Sequence, residues 1–130
     1  MITKKILDAY DKFLEERRLE LDAIIVGGTA LNLLGYISRQ TRGVDIIAPE
    51  LSEALKLASE DFAKTIPTLW SNWLNNGPSS LVDILPMGWE TRLQDSYIGT
   101  ALQLKTLGRS DLLKTKLFAY CDRGTDLSDC

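Results

Sequence analysis

The sequence contains no histidine among its 130 residues, and this absence excludes several kinds of chemistry. A Ser-His-Asp or Cys-His nucleophile system cannot be assembled, and no imidazole is available as a general base. The common zinc sites also lose their usual nitrogen ligand. Acid–base or metal chemistry therefore has to rest on carboxylates, on lysines or on a hard, oxygen-liganded cation such as Mg²⁺.

Cysteines and long apolar runs are also scarce. Cys121 and Cys130 are the only cysteines, too few for a disulfide framework or a CxxC metal site. We expect both to be reduced thiols in a cytoplasmic protein. Apolar stretches such as Ile24–Val26 and Ala30–Leu34 are far shorter than the roughly 18–20 residues that cross a bilayer. The first residues carry no signal-peptide core, so we expect no association with membranes.

The composition is that of an ordinary globular domain. Hydrophobic residues make up 45% of the chain and charged residues 25%, as in typical soluble proteins. A chain of this length forms one domain, which we expect to span residues 1–130. The net charge of −3 gives no general attraction for nucleic acid.

The spacing of apolar residues predicts an α+β domain. Apolar residues recur at helical spacing over about 3–18, which predicts an amphipathic helix. Short β-branched runs at 22–26 and 44–48 stop at Gly27 and Pro49, which predicts two buried strands. Two further strands are predicted at 81–85 and 98–107, and further helices at 29–36, 51–60, 62–74 and 111–120.

A glycine pair follows the first predicted strand. Gly27 and Gly28 allow the backbone to turn tightly and to approach a ligand, and Thr29 would open the next helix. The free N–H groups at such a helix start suit a phosphate group. A plain strand-to-helix turn would also use glycine, and the spacing is neither that of a P-loop nor GxGxxG. Both interpretations stay open on the residues alone.

Two aspartates lie within apolar runs that we interpret as strands. Asp45 is flanked by Val44 and Ile46, and Asp83 by Val82 and Ile84. A carboxylate among apolar residues is costly to desolvate unless a cation or hydrogen-bond donor meets it. Each could be a simple hydrogen-bond acceptor at a strand end. Together on one small sheet they indicate a shared cation site, for which Mg²⁺ is the natural ion.

The last predicted helix contains a lysine beside its apolar side. Lys116 lies three residues after Leu113 and four before Tyr120, so it borders the packed face of the helix. It could be a functional cation, or a solvated lysine whose aliphatic part covers the core.

Together these segments resemble the sequence motifs of the nucleotidyltransferase superfamily, both those near the start of the domain and those further along the chain. The most similar branch is that of the AbiEii-type toxins of type IV toxin–antitoxin systems and related minimal nucleotidyltransferases. The segments that carry the resemblance are Val26-Gly27-Gly28-Thr29-Ala30-Leu31, Gly35, Arg39-x-Thr41-x-Gly43-Val44-Asp45, Leu81-Val82-Asp83-Ile84-Leu85, Ser110-Asp111-Leu112-Leu113-x-x-Lys116-Leu117-x-Ala119, Arg123 and Asp126.

The resemblance implies a nucleotidyltransferase-like fold, a small mixed β-sheet flanked by helices. It also implies Mg²⁺-dependent transfer of a nucleotide from an NTP to an acceptor, which could be RNA, protein or a small molecule. Asp45 and Asp83 would bind the metal and act in catalysis with Lys116. The residues that would contact the nucleotide are Gly27, Gly28, Thr29, Arg39, Thr41, Arg123 and Asp126.

One position departs from the family pattern. Gly43 stands where the family has the first aspartate of its Asp-x-Asp strand. Residues two apart on a strand share a face, so one metal ligand beside Asp45 would be missing. We therefore expect weak binding of Mg²⁺–NTP and impaired transfer, which the substitution Gly43→Asp would test.

The residues leave alternatives to an enzyme. A non-catalytic nucleotide-binding or protein-interaction module could keep the same fold, and a structural domain could use its acids only in ion pairs. Relatives usually continue into further helices after the position of Asp126, so the chain is a minimal member or a shortened one. An uncovered apolar face would favour a homodimer. The resemblance also makes an antitoxin-like protein a candidate partner.

Overall fold

The computed structural model describes residues 2–27, 43–77 and 79–114 of the chain. The elements in these ranges, in chain order, are α1 (Lys4–Glu16), β1 (Leu21–Val26), β2 (Val44–Ala48), α2 (Glu53–Ala63), β3 (Leu74–Asn75), a first 3₁₀ helix (Ser79–Ile84), a second 3₁₀ helix (Trp89–Arg92), β4 (Gln94–Ile98) and β5 (Leu102–Thr106). A final helix, α3, occupies 109–114. The helix predicted at 29–36 lies outside the described residues.

Five strands in the described ranges form one mixed sheet, in the order β3-β2-β1-β5-β4. β1 at the centre runs antiparallel to β2 and parallel to β5. β3 is parallel to β2, and β4 is antiparallel to β5. This architecture confirms the predicted α+β class with a small mixed sheet. None of the helices in the described ranges combines the length and the apolar character needed to span a bilayer.

Side-chain caps begin the two longer helices where the sequence predicts. Thr3 precedes α1, and its hydroxyl oxygen accepts a hydrogen bond of 3.2 Å from the backbone N–H of Ile6. Ser52 precedes α2, and its hydroxyl accepts a bond of 3.2 Å from Leu55 N–H. Each cap satisfies a backbone donor that has no partner within its own helix.

The core lies between the sheet and the two helices. Leu21, Ala23 and Ile25 alternate along β1 as fully buried residues, as expected for one face of a strand. α1 contributes Tyr10, whose ring lies 5.0 Å from that of Phe62 and 4.9 Å from that of Trp73, measured between centroids. This aromatic cluster joins α1, α2 and the segment that leads into β3.

The strand predicted at 81–85 is wrong, because this segment belongs to the first 3₁₀ helix. Leu81, Val82 and Leu85 pack against the core, whereas Asp83 and Ile84 are exposed. The apolar positions are spaced as on one side of a helical turn, and a run this short does not distinguish a strand from a helix by pattern alone.

Two other boundaries differ from the predictions. The strand predicted at 98–107 is only partly present: β5 lies within it, residues 99–101 form a turn, and β4, which overlaps it at Ile98 alone, is not predicted. The helix predicted at 62–74 is absent from this part of the described chain, since α2 ends at Ala63 and turns lead into β3. In both places the apolar pattern of the sequence continues across residues that form a turn in the structure.

The turn between β4 and β5 is held by a carboxylate from α1. Asp11 accepts hydrogen bonds from the backbone N–H groups of Thr100 (3.0 Å), Ala101 (2.6 Å) and Leu102 (2.8 Å). A Cβ on Gly99 would come within 2.6 Å of this carboxyl group, so the turn needs glycine here. Burial raises the pKa of Asp11, but the three backbone hydrogen bonds outweigh burial and the net pKa is lowered.

The substitution Asp11→Ala is expected to lower the free energy of unfolding by about 1–2 kcal/mol, because three backbone donors lose a charged acceptor. The lowered pKa means that Asp11 stabilises the fold above its ordinary pKa of 3.8, and that this contribution is lost as the pH falls through the folded-state value. Urea unfolding at several pH values measures both effects. If the wild type and Asp11→Ala were equally stable at pH 7, or lost stability equally below pH 4, this role of Asp11 would be contradicted.

Candidate functional site

The site begins where β1 ends. Gly27 follows Val26 directly and has a φ angle of +83°, in the left-handed region that favours glycine. The chain therefore turns sharply at the end of the central strand, as the glycine pair predicts. The other predicted nucleotide contacts and the predicted catalytic lysine lie outside the described residues: Gly28, Thr29, Arg39, Thr41, Lys116, Arg123 and Asp126.

The carboxylate of Asp45 lies against this turn. Asp45 is the register partner of Val26 across β1 and β2, so its position beside Gly27 follows from strand pairing. A Cβ on Gly27 would stand 2.7 Å from Asp45 Oδ2. Glycine is thus required here twice, once for its φ angle and once for space. The structure brings together two of the residues that the sequence singles out, Gly27 and Asp45.

The second oxygen of Asp45 is held by a residue that the sequence analysis missed. Asn75 on β3 is the register partner of Asp45, and its side-chain Nδ2 donates a hydrogen bond of 3.1 Å to Asp45 Oδ1. The Asn75–Gly77 segment reads in the sequence only as a turn. The turn forms, because the backbone N–H of Gly77 donates a hydrogen bond of 2.9 Å to Asn75 Oδ1. Only the pairing of β3 with β2 reveals the second contact.

Gly43 is packed against the backbone of the segment before β3. A Cβ at this position would lie 2.9 Å from the carbonyl oxygen of Trp73. The same oxygen accepts a hydrogen bond of 2.6 Å from Val44 N–H, so it cannot move away without loosening the start of β2. Glycine at position 43 is therefore the residue that this packing requires.

Asp83 is exposed on the first 3₁₀ helix, and this helix contacts β2. The element that carries Asp83 is therefore a 3₁₀ helix beside β2 and not the strand that the sequence predicts. Across the described ranges, no group of three or more acidic, cysteine or histidine side chains is placed to hold a metal ion.

The carboxylate oxygens at this site can be matched to the ligands that Mg²⁺ requires. This ion binds through one or two carboxylates and completes its octahedron with waters and substrate phosphates. Asp45 supplies one carboxylate, half-buried, whose Oδ2 faces the small space that Gly27 leaves open. The residues fit a single ion bound together with phosphate oxygens. A two-ion centre would need a second strand carboxylate, which Gly43 cannot supply.

An ion pair anchors α3, the helix that leads toward Lys116. Arg92 donates from Nε to Asp111 Oδ2 at 2.8 Å and from Nη2 to Asp111 Oδ1 at 3.0 Å. Asp111 is only 2% exposed. The hydrogen bond to this carboxylate raises the pKa of Arg92. The sequence assigns Asp111 to the first turn of the helix but gives no indication of its partner.

The mixed sheet, with a glycine turn beside an acidic strand, is the arrangement expected of a nucleotidyltransferase-like fold. A sequence model of the family described as a nucleotidyltransferase of unknown function (DUF6036) matches residues 4–130. The chain belongs to this family. Neither the search of curated proteins nor the search of solved structures found a match.

The contact between Gly43 and Trp73 predicts the effect of adding a side chain. We expect Gly43→Ala to lower the free energy of unfolding by about 1–2 kcal/mol, because overpacking against a backbone oxygen exceeds the entropic gain from losing glycine. Gly43→Asp should cost at least as much. Urea unfolding measures both, with Asn72→Ala, at an exposed position of the same segment, as the control. Wild-type stability in both Gly43 variants would refute the steric account.

Proposed function

We propose that this protein binds Mg²⁺ and an NTP at the end of β1 and transfers the nucleotidyl group slowly to an acceptor hydroxyl. The observation that carries the proposal is the contact between the Gly27 turn and the Asp45 carboxylate. This contact puts a glycine turn beside a carboxylate in a chain that belongs to a nucleotidyltransferase family, and such a pair supports binding of a phosphate group together with a cation.

The reaction is an in-line displacement at phosphorus. A bond forms between the acceptor oxygen and the α-phosphorus, the bond from that phosphorus to the bridging oxygen breaks, and pyrophosphate leaves with the electron pair. The acceptor proton passes to a carboxylate, for which we propose Asp83. Catalysis of this kind rests on positioning and charge stabilisation.

The proposed roles combine the described positions of Gly27 and Asp45 with the roles that the family resemblance implies for the other residues. The turn at Gly27, continued by Gly28 and Thr29, would hold the triphosphate through backbone N–H groups. Asp45 would hold the magnesium ion, which when bound neutralises charge on the phosphate oxygens. We propose that Lys116 neutralises further phosphate charge. The remaining proposed nucleotide contacts are Arg39, Thr41, Arg123 and Asp126.

We propose that Gly43 makes nucleotidyl transfer slow. A second strand carboxylate would bind a second ion, and two ions stabilise the attacking and leaving oxygens together. With glycine at this position Asp45 is the one carboxylate that β2 offers to the site, so binding is weak and turnover is slow. Incubation with each radiolabelled NTP in turn, with RNA, protein and small-molecule acceptors in separate arms, measures transfer. Transfer at the rate of an efficient enzyme would overturn this part of the proposal.

The second candidate function is a non-catalytic nucleotide-binding module on the same fold. The close packing of Gly43 on Trp73 favours it, because this packing leaves no room for the missing carboxylate. Nucleotide binding that depends on Asp45, without transfer to any acceptor, would select this function.

The substitution Asp45→Asn is expected to remove the part of NTP binding that depends on Mg²⁺, because the neutral amide cannot compensate the charge of the cation. The apparent Kd for each NTP in excess Mg²⁺ should rise by about tenfold or more, or 1.4 kcal/mol. Thermal-shift titrations measure it, since stabilisation follows RT ln(1 + [NTP]/Kd). Asp22→Asn, at an exposed position on β1, is the control. Equal Kd values in Asp45→Asn and the wild type would reject the site.

The substitution Gly27→Ala should weaken Mg²⁺–NTP binding by about tenfold, because the new Cβ would displace Asp45 Oδ2. The matched control is Gly88→Ala. Gly88 has a φ angle of +84° against +83° at Gly27, and its Cβ would meet Arg92 Nη1 at 3.3 Å and Thr91 Oγ1 at 3.9 Å, neither of which belongs to the candidate site. Both variants should lose about 1–2 kcal/mol of stability from backbone strain, but only Gly27→Ala should lose binding. Equal loss of binding in both would show that strain alone is responsible.

A further inference from the structure

We propose that Asn75 is a positioning residue that orients the Asp45 carboxylate for its cation and borders the cation position. The proposal rests on the proposed function, because it concerns the same site. Asn75 donates to Asp45 Oδ1 at 3.1 Å. Oδ2 then remains turned toward the Gly27 side, where a Cβ would approach it to 2.7 Å. Asn75 thus holds Oδ1, and Oδ2 faces the space beside Gly27, where we propose that the cation binds.

The orientation of the Asn75 amide is itself fixed. Its oxygen accepts the 2.9 Å hydrogen bond from Gly77 N–H, so its nitrogen must point toward Asp45. Strand pairing fixes the backbone, because Asp45 and Asn75 are opposite each other in the β2–β3 register. An amide clamped at both ends restricts the rotation of the carboxylate more than a single surface hydrogen bond would.

The neighbouring Asn76 makes contacts of a different kind from those of Asn75. Asn76 accepts from Leu51 N–H at 2.7 Å and donates to the carbonyl oxygens of Ile46 (3.4 Å) and Pro49 (3.0 Å). All of these partners are backbone groups of β2 or of the segment between β2 and α2, so Asn76 fixes this part of the backbone. Asn75 instead directs its donor at the ionisable side chain of the candidate site.

Position 75 is open to solutes. Asn75 lines a cleft of about 310 Å³ between α2 and β3, together with Asn72, Ser71 and Glu60. A carboxylate introduced at position 75 would stand beside Asp45 Oδ1, which the present amide nitrogen approaches to 3.1 Å, so that a cation could bridge the two side chains. This allows two substitutions at one position to have opposite effects on cation binding.

The first experiment measures the Mg²⁺ concentration at half-maximal stabilisation by ATP, and separately by GTP, CTP and UTP, in thermal-shift titrations. Asn75→Ala should raise this midpoint three- to tenfold, because Asp45 is no longer held. Asn75→Asp should lower it, because two like charges at this distance repel until a cation lies between them. Asn72→Asp adds the same charge in the same cleft and should leave the midpoint unchanged. A purely structural role would instead shift the midpoint in the same direction in both Asn75 variants.

The second experiment uses Mn²⁺ alone and separates this proposal from the proposed function. Electron paramagnetic resonance titration should detect Mn²⁺ bound to Asn75→Asp, and binding should be lost when Asp45→Ala is added. If no NTP stabilises the wild-type protein in Mg²⁺, the proposed function fails, and the Mn²⁺ result alone decides the role of Asn75. Absence of Mn²⁺ binding in Asn75→Asp, or its persistence after Asp45→Ala, would overturn the positioning role.

Discussion

The contact between the Asp45 carboxylate and the Gly27 turn is the constraint on which the site depends. It arises from strand pairing, since Val26 and Asp45 are register partners and Gly27 follows at once. Only a residue without Cβ and with a positive φ fits there. The carboxylate is thus positioned by backbone geometry on one side and by the Asn75 amide on the other. A site held in this way needs little reorganisation to receive a ligand.

The same strand links the site to the core. β2 begins with Val44, which donates to the carbonyl oxygen of Trp73, and the Trp73 indole N–H donates to Ser59 O at 3.0 Å within α2. The close approach of Gly43 to that carbonyl follows from this attachment. Gly43, which the sequence resemblance matches to the first aspartate of an Asp-x-Asp strand, is therefore tied to core packing.

Local signals in the sequence predict much of the fold. The β-branched runs of β1 and β2, and the helical spacing of apolar residues in α1, agree with the structure because each element is specified by its own residues. The motif around Gly27 and Asp45 likewise predicts the family. The segment 81–85 was assigned wrongly, because apolar spacing in five residues satisfies a strand and a helical turn equally. The role of Asn75 depends on pairing between strands far apart in the chain, and no local pattern contains that information.

The most direct test of the account is a crystal structure of the protein with Mg²⁺ and a non-hydrolysable NTP analogue. The account predicts that the phosphates lie at the turn beginning at Gly27, with the cation on Asp45 Oδ2 and the Asn75 amide still bound to Oδ1. A nucleotide bound elsewhere, or phosphates at the turn with no cation on Asp45, would contradict it.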